Sequence, residues 1–269
     1  MAVPVQADQV RTALVSAGEI GPYFAVEFAA SQGEWCAVAD LWTRAGCLSE
    51  RVNTACEYLS SRTNTEVDLR ASASISSLGF MSRLVSPALA TACLAGVIPR
   101  LDPRQMYWRP ALGGPVPIAI ATATGTTVET ATEAAAQLEH DVLLPCVEPV
   151  LAAYSREFKL SKRVLRGNVA SALAGAAGML VRAGTALNLD PVEVVRSMLA
   201  LPSLTDTGHY ERPFDDRADR FFVRHNCCMF YRVPGGGTCG DCVLTPETER
   251  LEMWRTAVAP AGGKTRPTG

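Results

Sequence analysis

The sequence predicts an α+β fold that is mainly helical, with a small antiparallel sheet and a C-terminal cysteine-rich segment. Two observations predict it. Long stretches with apolar residues at helical spacing outnumber the short strand-like ones, and the strand-like stretches do not alternate with helices as in βαβ units. In addition, neither Gly-x-Gly-x-x-Gly nor a P-loop motif occurs, so nothing supports a doubly wound nucleotide-binding fold.

The helical body begins with a predicted helix over residues 7–17. A second helix is predicted where Leu48 and Leu59 mark the ends of an apolar series at helical spacing, with Ser49 as its N-cap. Residues 66–73 alternate apolar with polar or small side chains, which predicts a strand. Residues 74–96 then show helical spacing and predict a long buried helix.

Residues 106–112 and 116–121 flank a Gly-Gly-Pro turn and predict an antiparallel hairpin, with Pro117 placing its second strand at an edge. A long helical stretch, 130–158, should be interrupted near Pro145. Another helix is predicted over 162–182. After it, Asp190-Pro191 forms a strong helix start, with an N-cap followed by proline.

Composition divides the chain into three predicted parts: a helical body over residues 1–204, a cluster-binding segment over 205–257 and a disordered tail over 258–269. Charged residues crowd the first part of the segment, so 205–226 is predicted to be a solvated connector.

Bulk properties exclude several classes of protein. The 269 residues carry a formal net charge of −2, which argues against a nucleic-acid-binding or membrane-surface protein. The most apolar stretches, 86–98 and 169–181, are shorter than the roughly 20 residues of a membrane span. With no basic stretch and apolar run to suggest a signal peptide, we expect no transmembrane segment and a cytoplasmic location.

Four of the nine cysteines fall within sixteen residues, with the spacing C-C-x10-C-x2-C. They are Cys227, Cys228, Cys239 and Cys242. Four thiolates suit a [2Fe–2S] cluster, a [4Fe–4S] cluster or a structural zinc ion. Zinc sites normally space their cysteines by two to four residues, so the adjacent pair favours a dinuclear cluster. The other five cysteines are predicted to be small buried hydrophobes.

The residues around these cysteines fit a buried centre. Glycines 235–237 permit positive φ and a close approach of the backbone to inorganic sulfide. Five large apolar side chains could shield the centre or belong to an ordinary core: Phe221, Phe222, Met229, Phe230 and Tyr231.

The segment CCMFYRVPGGGTCGDC resembles the signature of the FhuF-like ferric-siderophore reductase family of [2Fe–2S] proteins. The stretches SISSLGFMSRLVSPALATACLAG at 74–96 and RGNVASALAGA at 166–176 are also similar to that family, with less specificity. The resemblance implies a cytoplasmic oxidoreductase, a ferric reductase that passes one electron to Fe(III) held by an imported siderophore. It also implies that Cys227, Cys228, Cys239 and Cys242 bind the cluster.

The substrate would be a ferric siderophore. The sequence has no flavin or nicotinamide motif, so electrons should come from a ferredoxin or a flavoprotein reductase. Arg224, His225 and Arg232 could attract an anionic complex or pair with the acids of 205–219. In the second similar stretch, Asn168 is expected to bond local backbone. Two alternatives remain open: a zinc-stapled interaction module without catalysis, and a [2Fe–2S] electron carrier or redox sensor.

Overall fold

A computed structural model describes residues 3–28, 35–122, 124–215 and 220–258. The predicted α+β class is confirmed: the chain is mainly helical, with small antiparallel sheets and a cysteine-rich C-terminal segment. The helices in these ranges are α1 (Ala7–Gly18), α2 (Asp40–Thr43), α3 (Cys47–Thr63), α4 (Leu69–Ala95), α5 (Ala131–Leu138), α6 (Glu148–Phe158), α7 (Lys162–Ala183), α8 (Pro191–Leu199) and α9 (Glu247–Val258).

Helices α4 and α7 form the centre of the core, and both contribute long rows of buried residues. Alanine, serine and glycine predominate in these rows, which lets the two helices approach closely. Side chains cap both starts: Asp68 accepts a hydrogen bond from the Ala71 N–H, and Ser161 accepts one from the Val164 N–H. Left-handed Gly184 ends α7.

Short antiparallel strands cover parts of this core. They are β1 (Pro4–Val5), β2 (Cys36–Ala37), β3 (Val97–Arg100), β4 (Met106–Trp108), β5 (Ile118–Ile120), β6 (Thr124–Thr127), β7 (Gly208–Glu211) and β8 (Phe221–Arg224). Their orders are β1-β6-β3, β2-β4-β5 and β7-β8. The predicted hairpin is confirmed as β4–β5, with Met106 opposite Ile120 and β5 at the edge.

The predicted interruption near Pro145 is also present. Between α5 and α6 the chain forms a π-helix over Glu139–Val147, which contains this proline. A proline removes one backbone donor from a helix, and the wider turn accommodates it without ending the helical path.

Three local predictions are wrong. Residues 66–73 do not form a strand, because Asp68 caps α4 and its helix starts at Leu69. Ser49 does not cap α3, which begins at Cys47 after a left-handed Gly46. Residues 205–226 are not merely a solvated connector, because they contain the β7–β8 hairpin.

The β7–β8 hairpin packs on the helical core. Phe222 is buried against Ala170 and Ala174 of α7. On its other side, Phe221 stacks on the buried Trp254 of α9, with ring centroids 4.7 Å apart. Helix α9 extends to Val258, the first residue of the predicted tail, and the rest of that tail lies outside the described residues.

Two helices, α4 and α7, satisfy a length-and-composition criterion for membrane spans. In α4, 72% of the apolar window is buried inside the fold, and in α7 the share is 61%. Core helices of water-soluble proteins pass the same criterion, so these two helices are weak evidence for a membrane location.

Candidate metal centre

The four clustered cysteines follow strand β8 directly. The Arg224 N–H donates to the Asp241 carbonyl oxygen at 3.1 Å, which ties the end of β8 to the Cys-x-x-Cys turn. Between the two cysteine pairs, Met229 adopts a left-handed conformation with φ of 71°, and a short 3-10 helix follows over Phe230–Arg232. The chain therefore turns at the adjacent pair, as convergence of its two sulfurs requires.

The glycine loop completes the reversal. Gly235 and Gly237 have φ of 74° and 65°, values that favour glycine. A Cβ on Gly236 would lie 2.8 Å from the Phe230 carbonyl oxygen, so the loop folds tightly against the 3-10 helix. Positive φ is confirmed at Gly235 and Gly237, whereas the approach of the loop to inorganic sulfide stays a prediction.

Cys228 and Cys239 bring their sulfurs within 3.6 Å of each other. The hydrogen bond between these two sulfurs lowers the pKa of Cys228 to about 6 and raises the pKa of Cys239. Burial raises the pKa of Cys227, and the nearby Cys228 and Cys242 add to that rise. All four sulfurs therefore influence one another within one small region.

Backbone N–H groups are aimed at the sulfurs. The Met229 N–H donates to Cys227 Sγ and the Leu244 N–H donates to Cys242 Sγ, both at 3.3 Å. A backbone bond from Phe230 also helps to lower the pKa of Cys228. Such donors stabilise negative charge on sulfur and, in iron–sulfur proteins, help to set the reduction potential.

One pair of the four sulfurs lies at a distance that suits metal binding. Within the described ranges, no group of three or more histidine, cysteine or acidic side chains is arranged to hold one metal ion. Cys228 and Cys239 instead have the separation expected of two ligands on one tetrahedral metal, about 3.8 Å for metal–sulfur bonds of about 2.3 Å. This separation fits one metal of a dinuclear centre and a zinc ion alike, so the preference for a dinuclear centre comes from the adjacent cysteines in the sequence.

Arg224 is completely buried beside the cysteines. Its Nε donates to the Asn226 carbonyl oxygen at 2.5 Å, and its Nη2 donates to Asn168 Oδ1 at 2.8 Å. Its Nη1 is buried with no hydrogen-bond partner, and no carboxylate pairs with it among the described residues. A buried cation is costly unless an anion compensates it, and thiolates holding a metal cluster would provide that anion.

Asn168 connects this arginine to the core helices. Its Nδ2 donates to the Ser74 carbonyl oxygen and to Ser77 Oγ, each at 2.9 Å. The expectation that Asn168 bonds local backbone is therefore wrong, because its partners lie on other elements. Gly167 leaves room for the side chain of Asn226, which a Cβ at position 167 would overlap.

Other residues singled out in the sequence have different surroundings. The His225 ring is hydrogen-bonded to His209 at 2.8 Å and to the Asp206 carbonyl oxygen at 3.2 Å, so both ring nitrogens have partners other than cysteine. Arg232 is partly exposed and lies 3.9 Å from Asp68. Tyr231 is half exposed, so it does not shield the cysteines.

Arg224 was one of three residues that could attract an anionic complex, and its position in the structure excludes that role. Arg224 is buried and cannot meet a large anionic complex, and it does not pair with described acids of 205–219. Arg166, near Asn168 in sequence, forms an ion pair with Glu148 at 3.4 Å. The contact between Arg224 and Asn168 could not be predicted from the sequence, because an arginine among charged neighbours is expected to be exposed and here it is buried.

Comparison with known proteins gives one family. The FhuF 2Fe-2S C-terminal domain matches residues 224–244, which include Arg224 and all four clustered cysteines. No curated protein matches the chain. The family match indicates a [2Fe–2S] cluster as the cofactor of this segment.

Proposed function

We propose, from the premise that residues 224–244 belong to the FhuF 2Fe-2S C-terminal domain family, that this protein is a cytoplasmic ferric-siderophore reductase. The reaction transfers one electron to siderophore-bound Fe(III), which becomes Fe(II). A ferredoxin or a flavoprotein reductase replaces that electron. The observation that carries the proposal is the matched four-cysteine motif with a buried, uncompensated arginine beside it.

The four ligands in this proposal are Cys227, Cys228, Cys239 and Cys242. Three features support them: the soft sulfur donors, the 3.6 Å separation of one sulfur pair, and the unpartnered Nη1 of Arg224. When bound, a [2Fe–2S] cluster supplies one electron at a time, which matches the reduction of Fe(III) to Fe(II).

The chain's own residues prepare this site for a charged centre. Backbone N–H groups of Met229 and Leu244 stabilise negative charge on two sulfurs. Arg224 adds a full positive charge from the buried side, and Asn168 fixes its position. Cys228 and Cys242 are buried while Cys227 and Cys239 are half-buried, so one side of the centre faces solvent and the other faces the fold.

Reduction weakens the complex of a siderophore with iron, because oxygen donors of siderophores prefer the harder Fe(III). Fe(II) is then available to other acceptors in the cell. The formal net charge of −2 gives no reason to expect binding to nucleic acid. Within the motif, Arg232 provides a partly exposed positive charge.

Anaerobic reduction tests the proposal. The reduced protein is mixed with a panel of ferric siderophores and a ferrous chelator, and both the visible spectrum and the Fe(II) complex are followed. Reoxidation of the protein with matching release of Fe(II) is expected. If the protein is brown and reducible but releases no Fe(II) from any complex, it is an electron carrier or redox sensor instead.

A matched pair of variants identifies the ligands. Cys228→Ser should lose the visible spectrum or shift it to shorter wavelength. Cys56→Ser, in helix α3, should leave it unchanged, because serine can keep the bond that Cys56 donates to the Val67 carbonyl oxygen. A colourless wild-type protein that contains zinc would contradict the proposal and support the interaction module.

A further inference from the structure

Exposed cations gather where helices α4 and α7 begin, beside the cysteine segment. Three acids are close to them in sequence, Glu66, Asp68 and Glu157, and Glu157 already pairs with Arg156 at 3.2 Å. Cations therefore outnumber acids here, although the formal net charge of the chain is −2. We call this surface the basic edge, and its residues, all exposed, are Arg70, Lys159, Lys162, Arg163 and Arg232.

Contacts between separate elements place these cations on one surface. Arg232 Nη1, in the 3-10 helix of the cysteine segment, lies 3.9 Å from Asp68 Oδ1, immediately before α4. Arg70, in the first turn of α4, donates from Nη2 to the Lys159 carbonyl oxygen at 2.9 Å. Lys162 follows three residues later as the first residue of α7, and another arginine comes next. The basic edge therefore joins the starts of two core helices to the cysteine segment.

The basic edge borders the residues that lead into the cluster. One face of α7 carries the cysteine segment: the Asn226 side chain lies against Gly167, and Ser171 Oγ donates to Asp241 Oδ2. Arg163 is four residues before Gly167, so it projects from the same face. Four residues of helix span about 6 Å, which places Arg163 one turn beyond the contact with Asn226. Asn226 in turn adjoins the first cysteine.

Helix electrostatics alone give no reason for cations at these positions. The first turns of α4 and α7 contain no acidic residue, and they carry Arg70, Lys162 and Arg163. Because the N-terminus of a helix bears a partial positive charge, cations there lower helix stability. Lys162 and Arg163 also form no ion pair within the described part of the chain. An anionic ligand would supply the charge that this surface lacks.

Apolar side chains are exposed next to these cations. Leu69, which precedes Arg70, is 46% exposed, and Tyr231, which precedes Arg232, is 50% exposed. Apolar groups within a charged rim are the usual composition of an interface between proteins. Sites for small molecules are concave instead, and no residue of the basic edge lines the cavity of about 380 Å³ between α3, α4 and the β4–β5 hairpin. The basic edge therefore suits the surface of a protein.

We infer that the basic edge docks an acidic carrier protein that donates the electron to the cluster. This inference rests on the proposed function, because it names the chemistry of the electron donor and the place where it binds. One electron passes from the reduced carrier to the oxidised cluster, so the carrier is oxidised, the cluster is reduced and no atom is exchanged. Attraction between opposite charges raises the rate of such encounters by about 10-fold to 1,000-fold at low salt.

Stopped-flow kinetics test the inference with the cluster-loaded protein and a small ferredoxin that has an acidic surface. Reduced ferredoxin is mixed with oxidised protein, and visible absorbance follows the transfer. The second-order rate constant should fall about tenfold or more between about 20 mM and about 500 mM salt, because salt screens surface charges. Reduced methyl viologen, a small cation, should show no such fall. A rate constant with ferredoxin that does not depend on salt would overturn the inference.

A matched pair of charge reversals tests the position. Arg163→Glu should lower the ferredoxin rate constant by about tenfold at low salt. Arg182→Glu, an exposed position about 28 Å away at the other end of α7, should change it little. Glutamate suits the first turn of a helix, so Arg163→Glu should unfold at a denaturant concentration no lower than that of the wild type. Equal rate constants in the two variants would refute the inference.

Cross-linking locates the contact independently of electron transfer. A water-soluble carbodiimide joins a lysine amine to a carboxylate without a spacer, and the lysines of this chain are Lys159, Lys162 and Lys264. Cross-links from Lys159 or Lys162 to the ferredoxin are expected at low salt and should decrease at high salt. Cross-links confined to Lys264, which lies outside the described residues, would contradict the inference.

Anionic vesicles of phosphatidylglycerol examine a different partner for the same charges. If these vesicles bind the wild type but not Arg163→Glu, and ferredoxin reduces both proteins at the same rate, the basic edge is a membrane-binding surface and the inference fails. Charge-dependent transfer from ferredoxin with no binding to vesicles supports the inference.

The outcome is separable from that of the proposed function. If chemically reduced protein passes electrons to ferric siderophores while ferredoxin kinetics are unaffected by salt and by Arg163→Glu, the reductase proposal stands and the docking inference fails. If ferredoxin reduces the protein in a charge-dependent way and no siderophore reoxidises it, the reductase proposal fails and the basic edge remains the docking surface of an electron carrier.

Discussion

Replacement of Arg224 by methionine should lower the reduction potential of the bound cluster. The guanidinium is fully buried, and its described partners are neutral. It lies 2.5 Å from the Asn226 carbonyl oxygen, and one further residue of chain, about 3.6 Å, leads to Cys227. Because Asn226 adjoins Cys227, we take a separation on the order of 6 Å between this charge and the nearest sulfur.

At about 6 Å and an effective dielectric constant of about 20, one unit charge contributes about 2.8 kcal/mol. For a one-electron couple this corresponds to about 120 mV, since about 1.4 kcal/mol and 59 mV each describe a tenfold change. A positive charge favours the reduced, more negative state of the cluster. Arg224→Met should thus lower the midpoint potential by on the order of 100 mV.

Redox titration of the purified protein, followed by visible absorbance, measures this potential. Arg224→Lys keeps the charge and should retain most of the wild-type value. Arg232→Met is the control, because its side chain is 42% exposed and screened by solvent, so its shift should be a small fraction of the other. An Arg224→Met protein that binds the cluster with an unchanged potential would refute this account of Arg224.

Three other predictions concern ligation and stability. Cys228→Ser should abolish or blue-shift the visible spectrum, and an unchanged spectrum would remove Cys228 from the ligand set. Gly167→Ala should lower the free energy of unfolding by about 1–3 kcal/mol, because its Cβ would overlap Asn226. Gly175→Ala, on the same helix but with open space around it, should raise the free energy of unfolding by about 0.5–1 kcal/mol. Equal effects of the two substitutions in denaturant titrations would contradict this prediction. Burial raises the pKa of Cys146 to about 12, so its contribution to stability is complete below about pH 8.5 and is lost as pH rises toward 12. The Cys146→Ala variant should therefore lose less stability than the wild type as pH rises between these limits. If the two proteins lose stability equally over this range, Cys146 is not the group responsible.

Local signals were sufficient for much of the fold. Asp190 caps α8 through its own Oδ1, which accepts from the Val192 N–H, as the Asp-Pro pattern predicts. The β4–β5 hairpin follows from a Gly-Gly-Pro turn between two apolar runs. In each of these places, the residues that decide the structure are neighbours in sequence.

Prediction failed where distant residues decide. Alternation over residues 66–73 predicts a strand, but Ala71 and Ala73 are buried where α4 packs in the core, and that packing favours a helix. Strand β1 has two residues and pairs with β6, more than a hundred residues away, so no local pattern announces it. The same limit applies to Arg224, whose charge predicts exposure while its environment buries it.

The metal-binding motif could be predicted because its residues are near one another in the sequence. Spacing and residue type identified the four cysteines, because a dinuclear cluster needs soft ligands close in space and these are already close in sequence. The contact between Arg51 and Trp108 could not be predicted, since these residues meet only after α3 and the β4–β5 hairpin pack together.

The contacts of Arg224 explain why a centre whose proposed ligands span only sixteen residues is attached to a large helical body. A buried guanidinium needs an acceptor that is itself held rigidly, and Asn168 provides one because Ser74 and Ser77 occupy its other end. Residues of α4, of α7 and of the segment that matches the FhuF 2Fe-2S domain thus meet at one amide. If Asn168 moved, the buried positive charge beside the cysteines would move with it. We therefore regard the α4–α7 pair as part of the redox site, since it fixes a charge that the cysteine segment alone could not hold.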